Sequence, residues 1–452
     1  MSCTRGSGWC WSRRSGSSEA KRPEVTCAVR LVIAGSRPLS GTVKVAGAKN
    51  AALKIMAASI LAGGVCRISN VPRIADVDTM LGVLRGLGAR VEVGPDGSTM
   101  SIDPSGVDRC EPPEEQVREM RASIQVMGPL LARLGYVRAR RPGGCNIGPR
   151  PIDLHLKGFA ALGAKINEES GYVSVRAEKL RGAEVFLDIP SVGATENIMM
   201  AACLAEGTTI IKNAAREPEI VDQQRFLNRL GAKVSGAGTD TIRIEGVKSL
   251  GAADYAVIPD RIEAGTFMVA SAMTRGTVRV ENVVVEHLQA LIGKLREAGA
   301  EIVEGDSFVV VKGPERLRAA SVRTSPYPGF PTDMQPQFVA AMSVADGTSI
   351  VTETIFPNRF KYVEELSRMG ATVRVEGRVA IVQGVASLAG GSVEAPDLRG
   401  GAALILAALV SSGPTVLSGV HHVDRGYEDL PGKLAKLGAA IERVGVLERQ
   451  VS

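Results

Sequence analysis

Tryptophan is almost missing from the chain: both copies, Trp9 and Trp11, fall in the first dozen residues, and aromatics make up only 4% of the whole. A nucleic-acid surface built from stacking rings and a basic face therefore has little to draw on. The formal charge of +6 is also local, because the first thirty residues hold six Lys/Arg against two Asp/Glu and leave a body near +2. No apolar run approaches the roughly 18 residues of a membrane-spanning helix, the longest being 402–410. The seven cysteines form no C-x-x-C pair and the four histidines no H-E-x-x-H. A disulfide framework and a dedicated metal site are thereby disfavoured, and a reducing cytoplasm is expected. Neither G-x-x-x-x-G-K-[ST] nor G-x-G-x-x-G after a strand occurs, so Walker and Rossmann nucleotide sites find no support.

Residues 1–28 stand apart, rich in Ser, Gly and Arg, with Arg13, Arg14, Lys21 and Arg22 leaving no room for the apolar core of a secretory signal. They read as a disordered leader or a misassigned start.

The remaining chain repeats itself. An apolar residue followed by Gly-Ala-x-Val/Ile occurs six times, with glycines at 88, 163, 231, 299, 370 and 438. A second phrase, Gly-x-x-x-Leu, keeps the same register at Gly246, Gly313 and Gly384. The fourth copy shows the plan. Thr277 to Val280 alternates like a half-buried strand, Leu288, Leu291, Ile292 and Leu295 form one helical stripe, and Gly299 stands where a helix takes a left-handed residue at its end. Six α/β units of about 70 residues, longer than solenoid repeats, suggest two domains more readily than one.

Because the repeat describes scaffold, reactive residues outside its phrases are the candidates for chemistry. Cys145 lies in Pro142-Gly-Gly-Cys-Asn-Ile-Gly-Pro-Arg150, between arginines that could stabilise a thiolate, although an inert loop thiol fits too. Cys66 and Cys203, in apolar surroundings, read as buried hydrophobes. Lys49 and Asn50 precede a helix expected over 51–61, near an N-terminus that favours anions. Arg121, Arg399 and Arg425 stand beside helix starts or glycines, and together with Lys49 and Arg150 suggest a cleft for a polyanion. Asp333 precedes an apolar helix expected over 338–344, where it serves either as an N-cap or as a general base.

The phrases that hold these residues resemble the UDP-N-acetylglucosamine enolpyruvyl transferases, of the EPSP synthase family, from about Arg30 to Arg443. The specific ones are Gly47-Ala-Lys-Asn-Ala-Ala-Leu53, Met120-Arg-Ala-Ser123, Pro142 to His155, Ser191-Val-Gly-Ala-Thr195, Asn213 to Asp222, Phe330-Pro-Thr-Asp-Met-Gln335 and Asp424-Arg-Gly-Tyr-Glu428. The resemblance implies an α/β fold of two inside-out barrel domains, each of three similar repeat units, one over 51–258 and the other over 29–50 plus 259–445. It implies transfer of the enolpyruvyl group of phosphoenolpyruvate to the 3-hydroxyl of UDP-N-acetylglucosamine, the first committed step of peptidoglycan synthesis, with no cofactor and no metal. Asp333 would take the hydroxyl proton, while Cys145 would protonate the enol methylene or assist release of product, and could also trap phosphoenolpyruvate as an adduct. Lys49, Arg150 and Arg425 would hold phosphate, and Arg359 and Arg399 the carboxylate. Asn50, Arg121, Pro151, Ile152, Asp153, Leu154, Ser191, Val192, Gly193 and Ile355 would line the nucleotide-sugar pocket. Ile189 stands where some members carry a lysine. The alternatives left open are the sister transferase acting on phosphorylated shikimate and a non-catalytic nucleotide-sugar-binding paralogue.

Overall fold

The computed structural model of the protein describes residues 25–35, 37–115, 121–140, 152–169 and 171–449, with backbone alone at 25–28, 121–123 and 446–449. Its described strands form six sheets, five of four strands and one of three.

One plan recurs among them. Val322–Arg323 leads through helix Gln335–Met342 to the parallel strand Thr348–Thr352. Helix Val363–Arg368 then leads to the hairpin Thr372–Glu376 and Val379–Gln383, whose second strand pairs antiparallel with Thr348–Thr352. Glu184–Phe186, Val192–Ala202, Thr208–Lys212, Pro218–Arg229, Lys233–Ser235 and Thr241–Glu245 repeat the same order and the same pairings. The six repeat glycines follow the second helices, five leading into a hairpin and Gly438 into strand Ala440–Arg449. Their φ angles lie between 87° and 105°, a region that a Cβ disfavours, which accounts for the fixed glycine.

The first helix of each unit is largely buried, and in Leu398–Leu409 every residue from Arg399 to Leu409 is covered. Each fully buried Leu or Ile in such a helix contributes roughly 1.5–3 kcal/mol. Arg261–Met273, Gln335–Met342 and Leu398–Leu409 pack on one another. Two apolar cores result. One gathers residues between Ala48 and Val257, and the other Leu31 to Val45 with Ile262 to Leu437.

The chain passes between the cores twice, over 45–48 and 257–260, and the two passes are hydrogen-bonded side by side. Ala48 N donates to Ile258 O at 2.7 Å and Asp260 N to Ala46 O at 2.9 Å. Gly47 is required at this crossing, since a Cβ there would fall 1.7 Å from Asn70 O. The consequence is that helices Lys49–Ala58 and Arg261–Met273 start next to each other.

Several expectations need correction. A strand begins at Val25, inside the stretch assigned to the leader, because 25–34 pairs in continuous register with 440–449. Composition could not show that pairing. The remainder of the leader, 1–24, lies outside the described residues. The helix expected over 51–61 starts at Lys49 and is α-helical to Ala58, then 3-10 over Ser59–Leu61. The one expected over 338–344 runs Gln335–Met342, since Pro336 suits a first turn.

The stripe of Leu288, Leu291, Ile292 and Leu295 is buried, and so are Cys66 and Cys203. Burial pushes the Cys203 thiol up to about 12, which makes it unreactive. Among the described residues no helix is long and apolar enough to cross a membrane.

Candidate functional site

The crossing of the two passes places the first charged group. Asp260 caps helix Arg261–Met273, its Oδ1 accepting from Ile262 N at 2.7 Å and Glu263 N at 3.0 Å. Its other oxygen accepts from Lys49 N at 3.1 Å, so one buried carboxylate caps two helices. This sets the direction of the Lys49 side chain. Lys49 Nζ lies 2.6 Å from Asp76 Oδ2, and Arg425 Nε donates to Asp76 Oδ1 at 2.8 Å. Burial pulls the Lys49 pKa down, Asp76 opposes that, and Arg399 and Arg425 add to it. The Asp76 carboxyl is held below its usual range: burial alone would raise it, and Lys49 and Arg425 outweigh burial.

The second group is Asp333, in the 3-10 turn Thr332–Met334 that precedes helix Gln335–Met342. Neither the turn nor the helix takes a side-chain cap, so the N-cap reading of Asp333 is set aside. Its carboxylate instead accepts from Arg359 Nη2 at 2.9 Å on one oxygen, and from Arg399 Nη2 at 3.0 Å and Nε at 3.3 Å on the other. Both arginines are buried, each 3% exposed, a situation that demands a partner. Arg399 follows the capping Asp397 at the start of helix Leu398–Leu409, and its guanidinium carbon stands 5.1 Å from the centre of the Tyr427 ring. Tyr427 is fixed from behind by Gln337 Nε2 at 3.0 Å and the Thr266 hydroxyl at 2.9 Å.

Glu353, fully buried, ties this cluster to the next loop. It accepts from Thr332 Oγ1 at 2.9 Å and from Ile355 N at 2.7 Å, setting Ile355 beside the turn that carries Asp333.

On the other core, Ser191 caps helix Val192–Ala202, its Oγ accepting from Ala194 N at 3.4 Å. Gly193 is packed close: a Cβ there would lie 3.0 Å from Gln125 Nε2 and 3.3 Å from the His155 ring. Asn197 joins this helix to its neighbours, with Nδ2 donating to Ile124 O and to His155 Nδ1, both at 3.0 Å, and Oδ1 accepting from Gly128 N at 2.7 Å. The amide assigned that way makes His155 Nδ1 an acceptor and places the ring proton on Nε2. Ile152, Asp153 and Leu154 open the helix that carries His155.

Within the first core, Lys54 Nζ is 3.1 Å from Glu196 Oε2. Ion pairs also join the two cores: Arg261 Nε donates to Glu219 at 3.0 Å. Arg73 binds Glu428 through Nη2 at 3.0 Å.

The sequence candidates Lys49, Asp333, Arg359, Arg399 and Arg425 are thus brought together, with Asn50 next to Lys49 on the same helix. Cys145, Arg150 and Pro151 lie outside the described residues, and Arg121 is described only as the backbone start of the 3-10 helix Arg121–Val126. Asp76, Asp260, Glu353, Arg261 and Asn197 escaped the sequence reading. Asp260-Arg-Ile-Glu263 carries a capping-box pattern that could have flagged Asp260, whereas Asp76 meets its partners only through the tertiary fold.

A helix-start lysine, a carboxylate under two buried arginines and a third arginine of the second core thus form one charged cluster. The family described as "EPSP synthase (3-phosphoshikimate 1-carboxyvinyltransferase)" matches residues 33–434.

The chain belongs to the EPSP synthase family.

Within this family the chain is 57% identical, over 93% of its length and 97% of the relative's, to UDP-N-acetylglucosamine 1-carboxyvinyltransferase 1 of Symbiobacterium thermophilum. It is 54% identical to UDP-N-acetylglucosamine 1-carboxyvinyltransferase of Geobacter metallireducens, over 92% of this chain and 99% of that one. Among solved structures, the enolpyruvyl transferase NikO from Streptomyces tendae superposes with a TM-score of 0.85 at 27% identity, covering 93% of this chain and 100% of that one. EPSP synthase from Acinetobacter baumannii, at 20% identity and a TM-score of 0.72 over 92% of this chain and 100% of that one, shares the fold. The EPSP synthase-like α/β fold is therefore that of this chain.

Proposed function

We propose that this EPSP synthase family member transfers the enolpyruvyl group of phosphoenolpyruvate to the 3-hydroxyl of UDP-N-acetylglucosamine, releasing phosphate, in the cytoplasm and as the first committed step of peptidoglycan synthesis. The observation that carries the reading is the Asp333 carboxylate, held at 2.9 and 3.0 Å by Arg359 and Arg399 in the same cleft as Lys49 and Arg425. Relatives at 54–57% identity, named for UDP-N-acetylglucosamine, favour that acceptor over phosphorylated shikimate.

In this mechanism Asp333 removes the proton of the sugar hydroxyl as its oxygen bonds to C2 of phosphoenolpyruvate, and Cys145 delivers a proton to C3. The tetrahedral adduct then loses a C3 proton as the C2–O bond to phosphate breaks, which restores the double bond. Lys49, Arg150 and Arg425 hold phosphate, and Arg359 and Arg399 the carboxylate. Clustered cations suit a step that must place two anionic groups beside each other. Asn50, Arg121, Pro151, Ile152, Asp153, Leu154, Ser191, Val192, Gly193 and Ile355 line the sugar-nucleotide side. The same proposal takes the two cores as two inside-out barrels of three units, over 51–258 and over 29–50 plus 259–445. The separate core clusters and the paired crossings at 45–48 and 257–260 support it.

The test is phosphate release from phosphoenolpyruvate with each acceptor, for wild type and Cys145→Ala. Release with the nucleotide sugar alone, lost in the variant at neutral pH, is expected; release with phosphorylated shikimate alone would overturn the substrate, and release with neither would overturn the activity.

A further inference from the structure

Asp76 has no place in the motifs that suggest the reaction, yet it is the group on which the cationic side of the cleft converges. It belongs to helix Ala75–Gly86 of the first core, and its side chain is 5% exposed. One oxygen meets Lys49 Nζ at 2.6 Å, and the other accepts from Arg425 Nε at 2.8 Å. Lys49 arrives from the first crossing between the cores, and Arg425 from the Asp424-Arg-Gly-Tyr-Glu stretch of the second core. Three segments therefore meet on one carboxylate.

The way Arg425 is held matters. It is engaged through Nε only, and no partner for its two terminal nitrogens is found among the described residues. A guanidinium fixed by Nε keeps its other edge for a second acceptor, and phosphate fits that fork. The Lys49 ammonium likewise spends one of its three protons on Asp76. Gly426 keeps the space beside them narrow, because a Cβ there would fall 3.1 Å from Lys49 Cδ and 2.6 Å from Leu398 Cδ2.

We propose that Asp76 is the positioning residue of the phosphate subsite: it locks Lys49 and Arg425 to one another across the seam between the cores and aims their remaining donors at the substrate's phosphate. This rests on the reading that Lys49 and Arg425 hold phosphate. Asp76 does not touch the reacting atoms; it acts through the two cations.

A second consequence separates this role from a merely structural ion pair. Burial, Arg399 and Arg425 all disfavour the charged form of Lys49, and the Asp76 carboxylate is the group that opposes them. Asp260 faces the Lys49 backbone N–H. Removing the charge of Asp76 therefore lets Lys49 lose its proton at a lower pH, and the alkaline limb of kcat/KM for phosphoenolpyruvate moves down.

The experiment uses the full chain as wild type, Asp76→Asn and Asp76→Glu, with both substrates varied from about pH 6 to about pH 10. Asp76→Asn is expected to raise KM for phosphoenolpyruvate about ten-fold or more while KM for UDP-N-acetylglucosamine stays within about two-fold, and to shift the alkaline limb downward. Asp76→Glu, which keeps the charge, should leave that limb near its wild-type position even where its longer reach costs affinity. An unchanged KM for phosphoenolpyruvate, equal rises in both KM values, or an unmoved limb in Asp76→Asn would overturn the proposal. If Asp76→Asn does not fold, a limb moved below the wild-type position in Asp76→Glu, which keeps the charge, overturns it instead. Should wild type release no phosphate with either acceptor, the functional reading fails separately. Calorimetric binding of inorganic phosphate then decides on Asp76, with about ten-fold weaker binding by Asp76→Asn expected and equal binding contradicting it.

Discussion

Glu196 offers a prediction whose size follows from its surroundings. It lies on the helix capped by Ser191, fully buried, with Lys54 of the helix that starts at Lys49 at 3.1 Å. Burial, with Glu219 and Glu217 adding to it and Lys54 opposing, pushes its carboxyl from 4.5 up to about 7. The folded chain thus keeps a proton that the unfolded chain has already lost. For an acid with a raised folded pKa the contribution is favourable below the unfolded value and is lost as pH rises through the folded one. Between about pH 5 and about pH 8 the loss comes to roughly 2–3 kcal/mol, at about 1.4 kcal/mol per pH unit over the part of the window where the two states differ. Glu196→Gln holds the side chain neutral at every pH and lacks this slope, while any fixed cost of the substitution cancels between the two conditions. The assay is thermal unfolding by far-UV circular dichroism at both pH values. Relative to wild type, the variant should gain roughly 5–10 °C on going from the acid to the alkaline condition. The same offset at both pH values would refute the reasoning, because it would mean that Glu196 ionises in the folded protein as it does in the unfolded chain.

Asp333→Asn keeps the shape of the side chain but removes the base, so kcat should fall by about 10²–10⁴ with KM values little changed; a fall of less than about three-fold would assign the proton transfer elsewhere. Gly426→Ala should crowd Lys49 and Leu398, raising KM for phosphoenolpyruvate about five-fold or more. Steady-state kinetics with normal KM would show that the gap can relax. Fosfomycin, an epoxide that resembles phosphoenolpyruvate, should alkylate Cys145. Intact-mass and peptide analysis showing no adduct, or one on Cys66 or Cys203, would count against the assignment.

What could be read in the sequence was whatever a short local pattern controls. The six glycines needed positive φ for one reason, the turn after a helix, and the stripe at Leu288, Leu291, Ile292 and Leu295 needed only helical spacing. Lys49, Asp333, Arg399 and Arg425 were legible because each belongs to a distinctive phrase. Contacts between distant segments were not. Asp76 meets Arg425 across 349 residues, and no window of sequence registers such a pair. The strand at 25–28 is likewise fixed by partners at 446–449. Helix starts at Lys49 and Gln335 were misplaced by a few residues because apolar spacing marks the buried turns, whereas the first turn was set here by Asp260 and by Pro336.

The cations of the cleft already face carboxylates: Lys49 and Arg425 face Asp76, Arg359 and Arg399 face Asp333, and Arg261 faces Glu219. On the proposed function, an entering anion exchanges one set of ion pairs for another, and its affinity is the difference between two large terms. Geometry decides that difference. A phosphate can engage the fork of Arg425 and the ammonium of Lys49 together, while Asp76 reaches only Nε of the one and a single proton of the other. It follows that opposite members of a pair are not mirror images under substitution. On the proposed function, loss of Arg425 removes a ligand for phosphate and also leaves a buried carboxylate underpaired, whereas loss of the Asp76 charge leaves the ligands present but unaligned and Lys49 easier to discharge. Exchanging the two residues would restore the charge count across the seam and still leave phosphate facing a carboxylate, so charge balance alone cannot make this subsite.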